Sequence, residues 1–211
     1  MDAGLGLVIA FAVVVAATIV FCGLAVRAAS RRAVLPFVVV VGAWLVALPV
    51  LAGCGVFDQL PMLVAGAPVL AVIVLAQLVP VTRRFCDRLP LPMLTYLQVV
   101  RAGVELCLFG LAMNHLLPIG LTFAGTNFDI VIGFTAPVFG NLAFPGGRPA
   151  RGPLLIWNLI GLALLARIVG QAVVAQPHAM LEWPWIWLAG FVVPVVAGAH
   201  VITLRRLIPN R

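Results

Sequence analysis

Long apolar stretches follow one another along almost the whole chain, and they constrain its fold more than any other feature. Six are clear and a seventh is interrupted by glycine and proline. In chain order they cover about 5–26, 33–51, 62–81, 93–116, 121–144 (the interrupted one), 154–175 and 183–204. A helix that crosses a lipid bilayer needs about 20 mostly apolar residues. The sequence therefore predicts an all-α, polytopic transmembrane helix bundle with seven spans.

Composition supports this class. The chain is 64% hydrophobic and 9% charged, whereas soluble domains are about 45–50% apolar and about 25% charged. The connections between the stretches are too short for a soluble domain. We therefore expect one integral membrane domain over 1–211, with an apolar three-helix part at about 1–82 and a four-helix part at about 93–204 that carries the buried polar residues.

Arginines mark every second connection between the apolar stretches. All 13 basic residues are arginines, and eleven of them lie in four segments: Arg27, Arg31 and Arg32; Arg83, Arg84 and Arg88; Arg148 and Arg151; Arg205, Arg206 and Arg211. The other connections and the N-terminus carry Asp2, Asp58 and Glu182 instead. Because cytoplasmic loops are enriched in Lys and Arg, this alternation predicts an outside N-terminus and a cytoplasmic C-terminus.

The same alternation bears on the interrupted stretch at 121–144. A re-entrant segment there would place Arg148 and Arg151 outside, so a full but kinked crossing is favoured over re-entry. We expect a multi-pass protein of the bacterial inner membrane whose arginine loops contact anionic lipid at the cytoplasmic face. Its oligomeric state and protein partners are not indicated.

Several kinds of chemistry find no support in the sequence. The chain has no lysine, which excludes Schiff-base chemistry and the lysine of phosphate-binding loops. The four cysteines lack C-x-x-C spacing and the three histidines are dispersed, so we predict no metal site and no cofactor. The arginines are too scattered for a nucleic-acid surface. Catalytic motifs such as H-E-x-x-H are missing, which weighs against an enzyme without excluding one.

Four charged residues fall inside the apolar stretches: Arg101, Glu105, Asp129 and Arg167. A charge at the centre of a membrane helix costs at least about 2.5–3.5 kcal/mol, so such residues normally face the protein interior and mark a pathway or site. Arg101 and Glu105 are four residues apart on one helix face, which predicts an ion pair. Asp129 and Arg167 lie at similar predicted depth and could form a second pair.

Other polar residues on the same spans extend these charges into a predicted buried polar network or pathway. Its members are Gln98, Arg101, Glu105, Asn127, Asp129, Asn158, Arg167, Gln171 and His200. Structural interpretations remain open for several of them. Arg101 and Glu105 could form a neutral pair that only fixes helix packing. Thr126 and Asp129 match a helix capping box, and His200 could simply bond a neighbouring backbone group.

The connection at 116–127 is rich in glycine, proline and polar residues, and a broken segment beside embedded charges is typical of transporter binding sites. The C-terminal half resembles small bacterial multi-pass membrane proteins of unknown function. The resemblance consists of Arg101-x-x-x-Glu105, Thr122-Phe123-x-Gly125-x-Asn127-Phe128-Asp129-Ile130-x-x-Gly133-x-Thr135-Ala136-Pro137, Trp157-Asn158, and Pro194 to His200. It implies the membrane class and no activity.

Three functions remain open on these grounds. The first is a small-solute or ion transporter or channel, with or without a linked proton, that uses the buried polar network with Glu105 as its titrating group. The second is a non-catalytic membrane subunit or assembly factor whose buried pairs only specify packing. The third is an intramembrane lipid-modifying enzyme with Glu105, Asp129 or His200 as acid or base.

Overall fold

A computed structural model describes residues 4–57 and 63–208, apart from the side chain of Leu63, and within those ranges it is helical and contains no strand. Asp2, Asp58 and Arg211, which the predicted topology uses, lie outside the described residues. In chain order the α-helices are α1 (Leu5–Ala29), α2 (Val34–Gly53), α3 (Leu63–Leu78), α4 (Pro80–Arg88), α5 (Leu91–Tyr96), α6 (Val100–Met113), α7 (Asp129–Leu142), α8 (Arg151–Ala175) and α9 (Val193–Leu207).

Several helices are long and apolar enough to cross a bilayer. Five helical segments qualify by themselves: Leu5–Ala29, Arg31–Gly53, Leu91–Met113, Arg151–Ala175 and Leu188–Leu207. In Leu91–Met113 the 3₁₀ turn Leu97–Val99 joins α5 and α6 into one continuous helical segment, and in Leu188–Leu207 the π turn Leu188–Val192 extends α9. A sixth is reached if α3 and α4, bent by 99° against each other, are one span. The all-α prediction is confirmed, and these helices are compatible with a multi-pass membrane protein. Seven spans and the orientation stay predictions.

The interrupted stretch folds differently from what we expected. Gly133, Pro137 and Gly140 were expected to break it, but α7 runs unbroken through all three. The irregular backbone lies before α7, at 114–128, and contains one 3₁₀ turn. With 14 residues, α7 is about 21 Å long, less than the roughly 30 Å of a bilayer's hydrocarbon core.

Close helix contacts explain the glycines of α7. A Cβ atom built on Gly133 would clash with the backbone of Ala102 on α6, and one built on Gly140 would lie 2.8 Å from the ring of Tyr96. The side chains of Tyr96 and Asn141 are joined by a hydrogen bond of 2.6 Å between Oη and Oδ1. These glycines therefore let α7 pack directly against α5 and α6, antiparallel to them.

Burial divides the bundle into a centre and a periphery. In the most apolar window of Leu91–Met113 and of Leu188–Leu207, 61% of residues are buried, against 6% for Arg31–Gly53. α6 packs against α1 and α7, and α9 packs against α3 and α8. Two of the helices that carry the predicted polar network, α6 and α9, are thus central, whereas α2 is peripheral.

The arginine-bearing segments gather at one end of the bundle. Arg205, near the end of α9, donates a hydrogen bond of 2.5 Å to Asp87 of α4. Leu207 of α9 clusters with Ala143 and Leu154, which flank the connection containing Arg148 and Arg151. The side chain of Trp187, beyond the opposite end of α9, bonds the backbone of α2 instead.

The packing of α7 predicts unequal effects of two glycine-to-alanine changes. Gly133→Ala should destabilise the fold by about 1–3 kcal/mol, because the added methyl group overpacks a tight contact. Gly170→Ala on α8 adds a methyl group where no atom lies within 4 Å, and should leave stability unchanged or slightly raised. Thermal unfolding of the purified proteins in one detergent measures both; equal midpoints would contradict the close packing of α6 and α7.

Candidate functional site

The centre of the bundle contains a buried arginine. Arg101, at the start of α6, is 2% exposed. Its Nε donates a hydrogen bond of 2.9 Å to Oδ2 of Asp129, and its Nη2 donates to Oδ1 of the same carboxylate. Nη2 also donates to the backbone oxygen of Gly161, at 3.0 Å. The result is a two-pronged Arg–carboxylate pair, the strongest hydrogen-bonded ion-pair geometry available to a protein.

A histidine completes the surroundings of the guanidinium. Nε2 of His200 lies 2.9 Å from Nη1 of Arg101, and Nδ1 lies 2.8 Å from Oδ1 of Asn158. An arginine N–H can only donate, so Nε2 accepts and the ring proton sits on Nδ1, where it is donated to Asn158. Asn158 in turn donates to the backbone oxygen of Leu154 at 2.8 Å. The network therefore requires His200 in its neutral form with the proton on Nδ1.

Gly161 is a member of this centre that the sequence analysis missed. Besides accepting from Arg101, it leaves room for the ring of His200, since a Cβ atom at this position would lie 2.7 Å from Cε1 of that ring. It follows Asn158 by three residues, and Leu154, Asn158, Gly161 and Leu165 are all buried on α8. This helical spacing is the signal that would have placed Gly161 on the polar face.

Glu105 lies one helical turn beyond Arg101 and has different partners. Asn127 donates from Nδ2 to Oε1 of Glu105, and its own Oδ1 accepts the backbone N–H of Asp129 at 3.0 Å. Oε2 of Glu105 is buried and has no hydrogen bond of normal geometry to a described residue, and the backbone N–H of Phe123 is a weak donor to the carboxyl group. Glu105 thus keeps one acceptor oxygen free.

Both predicted ion pairs are wrong. Arg101 pairs with Asp129 rather than with Glu105, and Asp129 does not pair with Arg167. The reason is the short α7, which begins at the depth of Arg101 and brings Asp129 into its reach. The predicted capping box is also wrong, because the side chain of Asn127, not of Thr126, accepts the first N–H of α7. His200 bonds side chains rather than a neighbouring backbone group.

The remaining predicted network residues lie outside this cluster. Gln98 donates to the backbone oxygen of Val196 at 3.1 Å. Arg167 is exposed and donates to the backbone oxygen of Thr126, while Gln171 donates to the Thr126 hydroxyl at 3.3 Å. The structure therefore links a continuous set of the predicted residues and leaves these three apart. The linked residues are Asn158, His200, Arg101, Asp129, Asn127 and Glu105.

A cavity of about 450 Å³ lies against this cluster, between α3, α6, α8, the π turn and α9. Glu105 and Asp129 are its charged lining residues, and every other described lining residue is Gly, Ala, Val, Leu, Ile, Pro or Met. The lining extends from Ala197 and Glu105 at mid-helix to Ala172 and Met180, at the end of the bundle opposite the arginine-bearing connections. Apolar residues on separate helices carry no sequence signal for a cavity, so it could not be predicted.

No family model, no curated protein and no solved structure matches the chain. The resemblance to small bacterial multi-pass membrane proteins therefore stays a prediction. Within the described ranges, no group of three or more His, Cys, Asp and Glu side chains could hold a metal ion. Any function for this chain must be argued from the polar cluster and the cavity.

The observed pairing predicts which double mutant is rescued. Arg101→Leu leaves the carboxylate of Asp129 buried without its cation, and breaking a buried pair in this way costs about 3–5 kcal/mol. Adding Asp129→Leu removes the orphaned charge and should restore folded yield. Adding Glu105→Leu to Arg101→Leu should not. The yield of monodisperse protein in size-exclusion chromatography distinguishes the two double mutants. The observed pairing would be contradicted if Glu105→Leu restored the yield of Arg101→Leu and Asp129→Leu did not.

Proposed function

We propose that this protein is a multi-pass protein of the bacterial cytoplasmic membrane that binds a small solute within its helix bundle and transports it in a process coupled to the movement of protons. The observation that carries the proposal is the cavity with Glu105 among the lining residues at its mid-helix end, where Oε2 of Glu105 is covered by the protein and has no hydrogen-bond partner among the described residues. Its volume of about 450 Å³ falls within the range of small-molecule sites, which are mostly apolar with a few converging polar groups. Glu105 is the group that contacts the solute.

The arrangement of the bundle ends supports the proposed orientation. The bond between Asp87 and Arg205, and the cluster around Leu207, join arginine-bearing segments that the topology assigns to the cytoplasmic side. Glu105 is the fifteenth residue of the helical segment Leu91–Met113, about 21 Å from its arginine-rich end. In this orientation the cavity runs from mid-membrane toward the outer face.

The short α7 supports a role in transport rather than simple packing. Binding sites of membrane transporters form where a helix is interrupted near the middle of the membrane, because irregular backbone is tolerated there only when protein or a cavity surrounds it. Here the irregular segment 114–128 leads to the start of α7 beside Glu105. The Arg101–Asp129 pair holds the start of α7 in place. In this proposal Arg101 and Asp129 position the site, and Glu105 binds the solute.

Cysteine labelling tests whether the cavity admits solutes. All four native cysteines are free and would first be replaced by serine or alanine. Ala172→Cys places a thiol on the cavity wall, whereas Ala136→Cys places one in packed protein, since Ala136 is 0% exposed and does not line the cavity. A small water-soluble methanethiosulfonate reagent added from outside should modify Cys at 172 at least tenfold faster than Cys at 136. Equal, slow rates would contradict an accessible cavity.

Transport itself is tested in proteoliposomes that contain a pH-sensitive dye. Under an imposed pH gradient, a panel of small organic amines, alcohols and acids should include at least one solute whose addition moves protons in the wild type. Glu105→Gln should abolish that signal, because the amide cannot exchange a proton. Glu182→Gln is the matched control, since Glu182 is 63% exposed and is not among the residues that line the cavity, and it should behave as the wild type. Signals equal in Glu105→Gln and wild type would favour the alternative in which the buried residues only specify packing.

A further inference from the structure

We infer that the solute bound in this cavity is an organic monocation, an ammonium group attached to an apolar body. The inference rests on the proposed function and narrows it to one chemical class. It depends on the balance of charge around Glu105 and on the chemistry of the cavity walls.

The positive charge nearest to Glu105 is already matched. The guanidinium of Arg101 directs Nε and Nη2 to the carboxylate of Asp129, Nη1 to His200, and Nη2 also to the backbone of Gly161. Arg101 and Asp129 therefore form a neutral unit, and His200 is held neutral by its own two bonds. The cluster contains a cation for Asp129 and none for Glu105.

No other described residue supplies the missing cation. Ion pairs in the described part of the chain join Arg101 to Asp129, His178 to Glu182 and Arg205 to Asp87. Arg167, the other arginine within the apolar stretches, is bound to the backbone of Thr126 and lines a separate groove. A carboxyl group in an apolar site avoids the cost of an unpaired charge either by holding a proton or by pairing with a cation. Since the fold supplies no cation for Glu105, a bound monocation can take the place of that proton.

The cavity walls select the rest of the solute. Apart from the two carboxylates, no described lining residue has a hydroxyl, a side-chain amide or an aromatic ring. A sugar, nucleotide or zwitterion would leave its hydrogen-bonding groups unpaired there, and each unpaired buried group weakens binding. A bare metal cation is disfavoured as well, because Mg²⁺ and Ca²⁺ require about six or more oxygen ligands. An ammonium group with an apolar body satisfies both the carboxylate and the walls.

Binding of matched probes tests this class. Benzyltrimethylammonium carries the charge, neopentylbenzene is its uncharged carbon isostere, and 3-phenylpropionate is an anion of similar size. Radiolabelled benzyltrimethylammonium would be bound to the purified wild-type protein in detergent, with the other two compounds as competitors. We expect saturable binding of the cation and no competition by either of the others at equal concentration. Competition by neopentylbenzene as effective as that by the unlabelled cation would overturn the charge requirement.

Substitutions of Glu105 complete the test. Glu105→Gln should lower the affinity for the cation at least tenfold, whereas Glu105→Asp, which keeps the charge on a shorter side chain, should retain part of it. The amide of Gln can still accept the hydrogen bond from Asn127, and size-exclusion profiles would verify folding. Glu182→Gln should bind as the wild type does. Unchanged cation binding in Glu105→Gln would overturn the inference.

Failure of this inference is separable from failure of the proposed function. If Ala172→Cys is labelled and a solute moves protons through the wild type while benzyltrimethylammonium does not bind, the monocation class is wrong and the proposed transport stands. If the cavity thiol is unreactive and no solute moves protons, the proposed function itself is wrong.

Discussion

Arg101 places a positive charge in the middle of the bundle and binds three other helices at once: Asp129 of α7, Gly161 of α8 and His200 of α9. Moving such a charge out of water is expensive, and the cost is offset only when every donor finds an acceptor. Here each guanidinium nitrogen has at least one acceptor, and four of the five N–H groups are bonded. The geometry of the central helices therefore depends on this side chain, since a displaced partner would leave a buried charge unsatisfied.

The polar cluster therefore has two parts: residues that hold the helices in place, and one residue that is available to bind a ligand. The Arg101–Asp129 pair is neutral and closed, and Asn158 fixes the proton of His200. Glu105 lies one turn away, bound to Asn127 through one oxygen and free at the other. A carboxylate that the fold leaves incompletely satisfied, beside an apolar cavity, has a physical reason to bind something from outside the chain.

The short α7 lets one cluster both hold the central helices in place and leave Glu105 available to a ligand. Asn127 bonds both Glu105 and the first N–H of α7, so the end of the irregular segment is tied to the site. Gly133 then lets α7 approach the backbone of α6, and this approach keeps Asp129 within reach of Arg101. A full-length helix in this stretch would carry its first residue past the arginine, toward the end of the bundle.

The sequence by itself determined the all-helical class, most of the long helices and the identity of the central polar residues, because apolar length and misplaced charges are properties of single segments. It did not determine their partners. The spacing within α6 favours an ion pair between Arg101 and Glu105. Whether a residue of another helix is the partner depends on where that helix starts and how it is rotated, and in the structure Asp129 at the start of α7 is the partner of Arg101. The cavity is likewise a product of tertiary structure alone. Its walls are ordinary apolar residues of several separate segments, which become a site only when packing leaves a space between them.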